Sequence, residues 1–296
     1  MTRTPHDQFA KLCLAGFLEP FGTAEIGREL TSEVRQVDLW FDPDPARLDS
    51  QAALGLLGQM VRLPCLLEPF RNAIQAGHIL DCQSKLNEVR LELLRKAKSQ
   101  KIRSSQVTLP RLWMISPTVS LKVLEEFGAI EKSDWLPGVY FLPEGQRAAI
   151  VAINQLPVTP ETLWLRLLGR ETVQAQAVSE LMMLPENHPF RTHTLKQLMN
   201  LRKTLEARQN LNRDERGLIM SLSPIYERWE EEILQRGRRE GRQEGRQEER
   251  QELLSRVVPT LLRSGLTIEQ IAEQLQVDVS EIQRVLELRS SNENQS

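Results

Sequence analysis

VRQVDLWF, residues 34–41, reads as a β-strand with a carboxylate at its centre. Side chains of a strand alternate between faces, so Val37, Leu39 and Phe41 point one way and Gln36, Asp38 and Trp40 the other. The first set belongs to a core. The second sets an acid beside an indole, where a carboxylate is costly to desolvate unless it is paired, protonated or bound to a metal. An edge strand with its polar face in water fits the same pattern, and the residues alone leave both readings open.

Around this stretch, residues 24–41 read as one or two strands, with a break near Leu30 to Ser32. Upstream, MTRTPHDQFAKLCLAGFLEP carries Asp7 and Lys11 around a short apolar run and reads as an amphipathic helix rather than a leader. Downstream, DPDPARLDSQAALGLLGQMVRLPCLLEPFRNAI opens in a Pro/Asp loop, and its closely spaced apolar residues fit helix better than strand. Leu80, Leu86, Val89, Leu93, Leu94 and Ala97 recur at helical spacing, predicting a helix over 80–97. The runs at 109–117, 135–143 and 148–157 are short, apolar and bounded by Pro or Gly, as strands are, with a helix at 120–127 between the first two. Together they predict an α/β domain with a mixed sheet over 1–157.

From Thr159 the pattern is helical to about Gln235, with Trp164, Leu165, Leu167, Leu168, Met182 and Met183 read as core. GRREGRQEGRQEERQE, residues 237–252, is a true repeat: Gly, Arg and Glu each recur every fourth residue. On a helix these form three stripes with like charges at i,i+4, so a lone helix gains little, whereas a second copy packed on the glycines could set Arg against Glu. A solvated linker is the alternative. The tail, 253–289, contains Thr267–Gln270 and Ser280–Gln283, two capping boxes that each open a short helix in a helix-turn-helix-like pair, and residues 290–296 read as disordered. Acids at Asp278 and Glu281 favour protein docking or a structural role for that pair over groove reading.

The formal charge of −2 over 296 residues excludes a protein that coats nucleic acid through general positive charge, so basic surface must be local. Such a cluster exists in Arg90, Arg95, Lys96, Lys98, Lys101 and Arg103, which could meet phosphates or simply complement a helix C-terminus. Cys13, Cys65 and Cys82 make an odd count without CxxC spacing, as reduced thiols of a cytoplasmic protein do, and the four histidines form no zinc pattern. No apolar run reaches transmembrane length.

Three features together resemble the Rpn family of recombination-promoting nucleases and transposases, a branch of the PD-(D/E)XK nuclease superfamily. HDQFAKLCLAGFL is similar to that family's first helix, with Asp7, Phe9 and Lys11 in its positions. VRQVDLWF is similar to its Arg-x-x-Asp-Leu-x-Phe strand, here Arg35, Asp38, Leu39 and Phe41. YERWEEEILQRGRREGRQEGRQE with the following SGLTIEQIAEQL looks like its tails. The N-terminal region also looks like cyanobacterial proteins labelled flagellar assembly protein H, a label the glycine-repeat helix accounts for.

The resemblance implies a PD-(D/E)XK-like mixed sheet with flanking helices, and a Mg²⁺-dependent DNA endonuclease of the recombination or transposition class. In that pattern an Asp and a second acid hold the metal, and a Lys or Gln two residues beyond the second acid helps activate water. Asp38 is then the first metal ligand and Asp7 an outer carboxylate. No Glu-x-Lys or Asp-x-Lys occurs in the chain. If LGLLGQM were the next strand, Gln59 would take the Lys/Gln position and Leu57 that of the acid, leaving the site without its second ligand. HILDCQS offers Asp81 and Gln83 instead, on what reads as a helix. Arg95, Lys96, Lys98, Lys101 and Arg103 are the nucleic-acid candidates.

The expectation is therefore a nuclease-like domain over 1–157, a helical region over 158–235, a repeat helix over 236–252 and the tail. DNA and a second copy of the chain, joined through 237–252, are the expected partners. A non-catalytic scaffold assembled through the same repeat is the competing class.

Overall fold

The computed structural model describes residues 4–29 and 36–293. Arg35 and the expected strand break at Leu30 to Ser32 lie outside the described residues, as do 294–296 of the tail expected to be disordered. Contacts divide the chain into two compact units, Met1–Tyr226 and Glu227–Ser296.

Among the described residues the first unit is α/β, built on one mixed sheet of seven strands, numbered in chain order and arranged β1-β2-β3-β4-β7-β6-β5. Helix α1 (Pro5–Leu18) starts where the Thr4 hydroxyl accepts the Asp7 N–H at 3.2 Å, with Pro5 at the first helical position. Strands β1 (Gly22–Glu29) and β2 (Gln36–Pro43) pair antiparallel, and β3 (Cys65–Pro69) adds antiparallel to β2. Thus β2 lies inside the sheet rather than at its edge. The segment read as helical corrects to a short helix α2 (Leu56–Met60) followed by a strand: Pro64 and Pro69 bracket β3, and neither fits inside a continuous helix.

Helix α3 (Ala76–Ser99) links β3 to the parallel strand β4 (Arg111–Ser116), because parallel neighbours need a long crossover. Its Ile79, Cys82, Leu86 and Val89 pack on Trp40, Leu66, Leu112, Met114 and Ile150, so this face of the sheet is dry. Next come α4 (Leu121–Glu126), then β5 (Ile130–Glu131), β6 (Val139–Phe141) and β7 (Ala148–Ala152), the last parallel to β4 and antiparallel to β6. The three Pro/Gly-bounded runs each hold a strand; the two-residue β5 was not expected.

Helices α5 (Leu163–Arg166), α6 (Glu171–Met183) and α7 (Arg191–Glu206) complete the unit. Phe17 of α1 meets Trp164 at 5.0 Å and Phe190 at 5.9 Å between ring centroids, so these helices share the core of the sheet unit. Met183, expected in the core, is 85 % exposed. One helix, α8 (Arg213–Arg263), then runs for 51 residues, absorbing the end of the helical region, the whole glycine repeat and the start of the tail.

In the second unit, Leu254 and Val258 of α8 pack with Ile271 and Ala272 of α9 (Ile268–Leu275) and Ile282 and Val285 of α10 (Val279–Glu293). The Thr267–Gln270 capping box forms, with reciprocal bonds of 3.4 and 3.0 Å. The second does not: α10 begins at Val279, with the Asp278 backbone carbonyl accepting the Glu281 N–H at 2.9 Å, so Ser280 is already helical. The helix also extends to Glu293, into residues expected to be disordered.

Candidate functional site

Leu39 pairs with Leu67 and Trp40 with Leu66 across β2 and β3; one further step along this register sets Asp38 opposite Glu68. Like charges placed opposite each other on neighbouring strands are destabilising, so the pairing calls for a reason. The Asp38 N–H donates to Glu68 Oε1 at 3.1 Å, and Lys85 Nζ of α3 reaches Glu68 Oε2 at 2.6 Å. On the other side, Lys11 Nζ of α1 bridges Asp38 Oδ1 at 2.6 Å and Asp7 Oδ2 at 2.9 Å. Three acids and two lysines thus form a chain from Asp7 through Lys11, Asp38 and Glu68 to Lys85, with the two acids of β2 and β3 adjacent at its centre.

Burial grades this chain. Glu68 and Lys85 are buried, while Asp38, Asp7 and Lys11 are half-buried and reach solvent. Burial, then the neighbouring Asp38 charge, push the Glu68 carboxyl up to about 7, against the pull of Lys85. Burial opposes the Lys85 charge, but the Glu68 charge and hydrogen bond prevail and hold its ammonium above the ordinary lysine range. Lys11 is raised in the same way, its hydrogen bonds to Asp38 and Asp7 outweighing desolvation. A buried acid poised near neutrality beside a second acid is the environment from which proton-handling and cation-holding groups are drawn.

The sequence-derived candidates divide. Asp38 and Asp7 come together through Lys11. Gln59 does not join them: it lies exposed on α2, its side chain donating to the Asp134 carbonyl at 3.5 Å, because residues 56–60 are helical and not the strand that would have set Gln59 in the Lys/Gln position. Asp81 is on α3 and exposed, and Gln83 bonds Gln146 at 2.6 Å, so neither meets Asp38. Glu68 and Lys85 were missed. The first stands in a Pro-bracketed apolar run; the second interrupts the core-facing stripe of Cys82, Leu86 and Val89, where a lysine is out of place unless it has a partner.

Two carboxylates on adjacent strands offer hard oxygens of the kind Mg²⁺ takes, and their mutual repulsion is what a divalent cation would relieve. Among the described residues no group of three or more His, Cys, Asp or Glu side chains is arranged to hold a metal, so water or substrate oxygens must complete any such shell.

The basic cluster lies at the far end of α3. Arg95, Lys96, Lys98, Lys101 and Arg103 are exposed, with Lys96 paired to Glu92 at 2.9 Å. Lys98, Lys101 and Arg103 line a shallow groove of about 460 Å³ with Leu94, Ala97 and Ile102. Among the described residues no helix is long and apolar enough to cross a membrane. Comparisons with protein-family models, curated proteins and solved structures find no match to this chain.

Proposed function

We propose that the sheet unit is a metal-dependent DNA endonuclease of the PD-(D/E)XK type, acting in recombination or transposition. The observation that carries this reading is the cross-strand Asp38–Glu68 pair, with a lysine on each acid. Asp38 and Glu68 would hold Mg²⁺, which supplies a bound water of lowered pKa and charge stabilisation at the phosphate. Lys85 replaces the lysine two residues beyond the second acid, where Phe70 stands, reaching the same carboxylate from α3 instead of from the strand. Asp7 holds Lys11 from its other side and so positions the ammonium against Asp38.

From Lys85 to Lys98 the α3 axis rises about 20 Å, some six nucleotides of a strand, so DNA crossing the acids could also meet the terminal cations. Nicking of supercoiled plasmid tests the reading. Mg²⁺-dependent cleavage by the purified chain, abolished in Asp38→Ala and Glu68→Gln, is expected; cleavage surviving both substitutions, or no cleavage at any Mg²⁺ concentration, would remove it.

A second reading, assembly through α8, is favoured by its glycines. A Cβ placed at Gly237, Gly241 or Gly245 meets nothing within 4 Å, so no intrachain contact requires them. Each nevertheless costs its helix about 1 kcal/mol relative to alanine. Close approach of a second helix supplies the missing reason. Residues following each glycine are arginines and those preceding Gly245 and Glu249 are Glu244 and Glu248, so the charges flank the stripe about 100° to either side. In a parallel pair opposite flanks meet, Arg against Glu; in an antiparallel pair like meets like. A parallel homodimer is therefore expected, and sedimentation of the full chain should give a dimer that Gly237→Leu, Gly241→Leu and Gly245→Leu together convert to monomer. A monomeric parent chain would exclude it.

A further inference from the structure

Helix α3 carries its charges on separate sides. At about 100° per residue, Asp81, Glu88 and Glu92 point roughly 160–200° away from Arg90, whereas Gln83, Asn87, Leu94 and Lys98 stay within about 80° of it. One turn from Arg90 along the helix stand Leu86, Asn87, Leu93 and Leu94, so no acid of its own helix is placed to pair with it. Cations near a helix C-terminus complement the macrodipole, which accounts for Lys98 but not for Arg90, more than two turns before the end.

Two cavities adjoin this side. The first, of about 490 Å³, lies between α3 and the turn before β7, and Gln83, Asn87, Arg90, Gln146 and Arg147 supply its polar lining. The second is the groove of about 460 Å³ at the helix end, which starts at Leu94, one turn beyond Arg90. Among the described residues no carboxylate lines either of them. Arg147 is fixed in place, its Nε and Nη2 donating to the Pro110 and Leu109 carbonyls at 3.1 and 2.6 Å, while Glu144 beside it is engaged by Arg111 and Lys132, each at 3.4 Å. Arg90, Lys98, Lys101, Arg103 and Arg147 make no ion pair among the described residues.

Lys101 adds an independent sign. It sits at φ 58° just past the helix cap, where the Ile102 N–H returns to the Ala97 carbonyl at 2.9 Å and its own N–H to the Lys98 carbonyl at 3.2 Å. That closing motif favours glycine, so a lysine there gives up stability while setting a cation at the groove. Between the cations the floor is apolar, formed by Leu94, Ala97 and the 43 % exposed Ile102, and the Asn87 and Gln146 amides line the first cavity. A duplex turns its phosphates outward and shields its bases, whereas a single strand offers phosphates to cations and bare bases to apolar surface and amides.

We infer that this flank of α3 is a track for single-stranded nucleic acid, with Arg90 and Arg147 taking backbone phosphates at one end and Lys98, Lys101 and Arg103 at the other. From Gln83 to Lys98 the helix rises about 22 Å, some six nucleotides of a strand. Arg95 and Lys96, members of the expected basic cluster, point about 120–140° from Arg90 and fall outside the track. Lys85, the partner of Glu68, points about 140° from Arg90 toward the opposite flank, so α3 stands between the acid pair and the track. The strand in the track is thus held apart from the one that is cut. This deepens the nuclease reading and rests on it for the choice of nucleic acid over other polyanions.

The test uses the full chain in EDTA, so that hydrolysis plays no part, and follows the fluorescence anisotropy of a labelled oligonucleotide, single-stranded or annealed to its complement. Tighter binding of the single strand is expected. Equal or tighter binding of the duplex, or displacement by polyglutamate as effective as by unlabelled oligonucleotide, would overturn the assignment. Arg90→Glu should weaken single-strand binding about tenfold, while Arg95→Glu, the same charge change on another side of the helix, should cost less than about twofold. Equal losses would reduce the track to diffuse charge and remove it. Lys101→Gly separates binding from folding: glycine adopts φ 58° freely, so this variant should melt no lower than the parent chain yet bind about fivefold more weakly, with the salt-dependence slope reduced by about 0.7. Unchanged affinity in Arg90→Glu and Lys101→Gly would likewise overturn the track. Binding that needs Arg90 and Lys101 in a chain that nicks no plasmid would keep the track and remove the enzyme; nicking without such binding would do the reverse.

Discussion

Lys85→Met isolates the buried pair at the centre of the site. Glu68 and Lys85 are 2 % and 4 % exposed and 2.6 Å apart, so removing the ammonium leaves a carboxyl that cannot hydrate. In the parent chain the Glu68 carboxyl sits at about 7 when folded against an ordinary 4.5. A raised acid binds its proton more tightly in the folded state, so its stabilising contribution is full below the unfolded value and is lost as pH rises to about 7. Over that interval the loss is about 3 kcal/mol, after which it stops. Without Lys85 the folded value moves higher, and the loss continues past pH 7 at about 1.4 kcal/mol per pH unit until the new value is reached. Urea titrations in EDTA at pH 5 to 9, followed by tryptophan fluorescence, measure this, since Trp40, Trp113, Trp135 and Trp164 all lie in the sheet unit. The difference between the two proteins should be level below about pH 6.5 and widen above pH 7. Parallel stability curves up to pH 9 would refute the electrostatic account of Glu68.

Other substitutions probe the rest of the frame. Arg166 is 1 % exposed, its two terminal nitrogens donating to Glu180 at 2.8 and 2.6 Å and its Nε to Thr162 at 2.9 Å. Arg166→Ala should cost about 3 kcal/mol or more in urea unfolding at pH 7, and a loss under 1 kcal/mol would contradict this geometry. Ser116→Ala removes a buried hydroxyl that accepts the Ile74 N–H at 3.0 Å and donates to the Thr118 carbonyl at 2.8 Å; a loss of about 1–3 kcal/mol is expected by the same titration. The three cysteines are buried, and burial pushes each thiol far above its ordinary value. A disulfide reagent at pH 8 should therefore label none of them in the folded protein and three after denaturation, whereas fast labelling of the native chain would contradict their burial.

Much of the fold could be read from local pattern. The period-two alternation over its described part, 36–41, the helical spacing over 80–97 and the Pro/Gly-bounded runs at 109–117, 135–143 and 148–157 all correspond to elements of their expected type, because those signals arise from a residue's nearest neighbours. The reading failed at Cys65–Pro69, where a short apolar run next to a helix-like segment hid a strand, and at the second capping box, where Asp278 rather than Ser280 starts the helix. Helix α8 ran through two expected boundaries, since a repeat of charged residues continues a helix as readily as it ends one.

The sequence by itself determined that Asp38 would stand on a strand beside apolar neighbours and that glycines, arginines and glutamates would form separate stripes on one helix. Both follow from backbone periods of 2 and 3.6, which involve no distant residue. Only the tertiary structure decided what stands opposite Asp38. Strand register and the reach of Lys85 from a crossover helix join residues 30 and 17 positions apart around Glu68, and such pairings are fixed by how the layers pack, not by spacing along the chain.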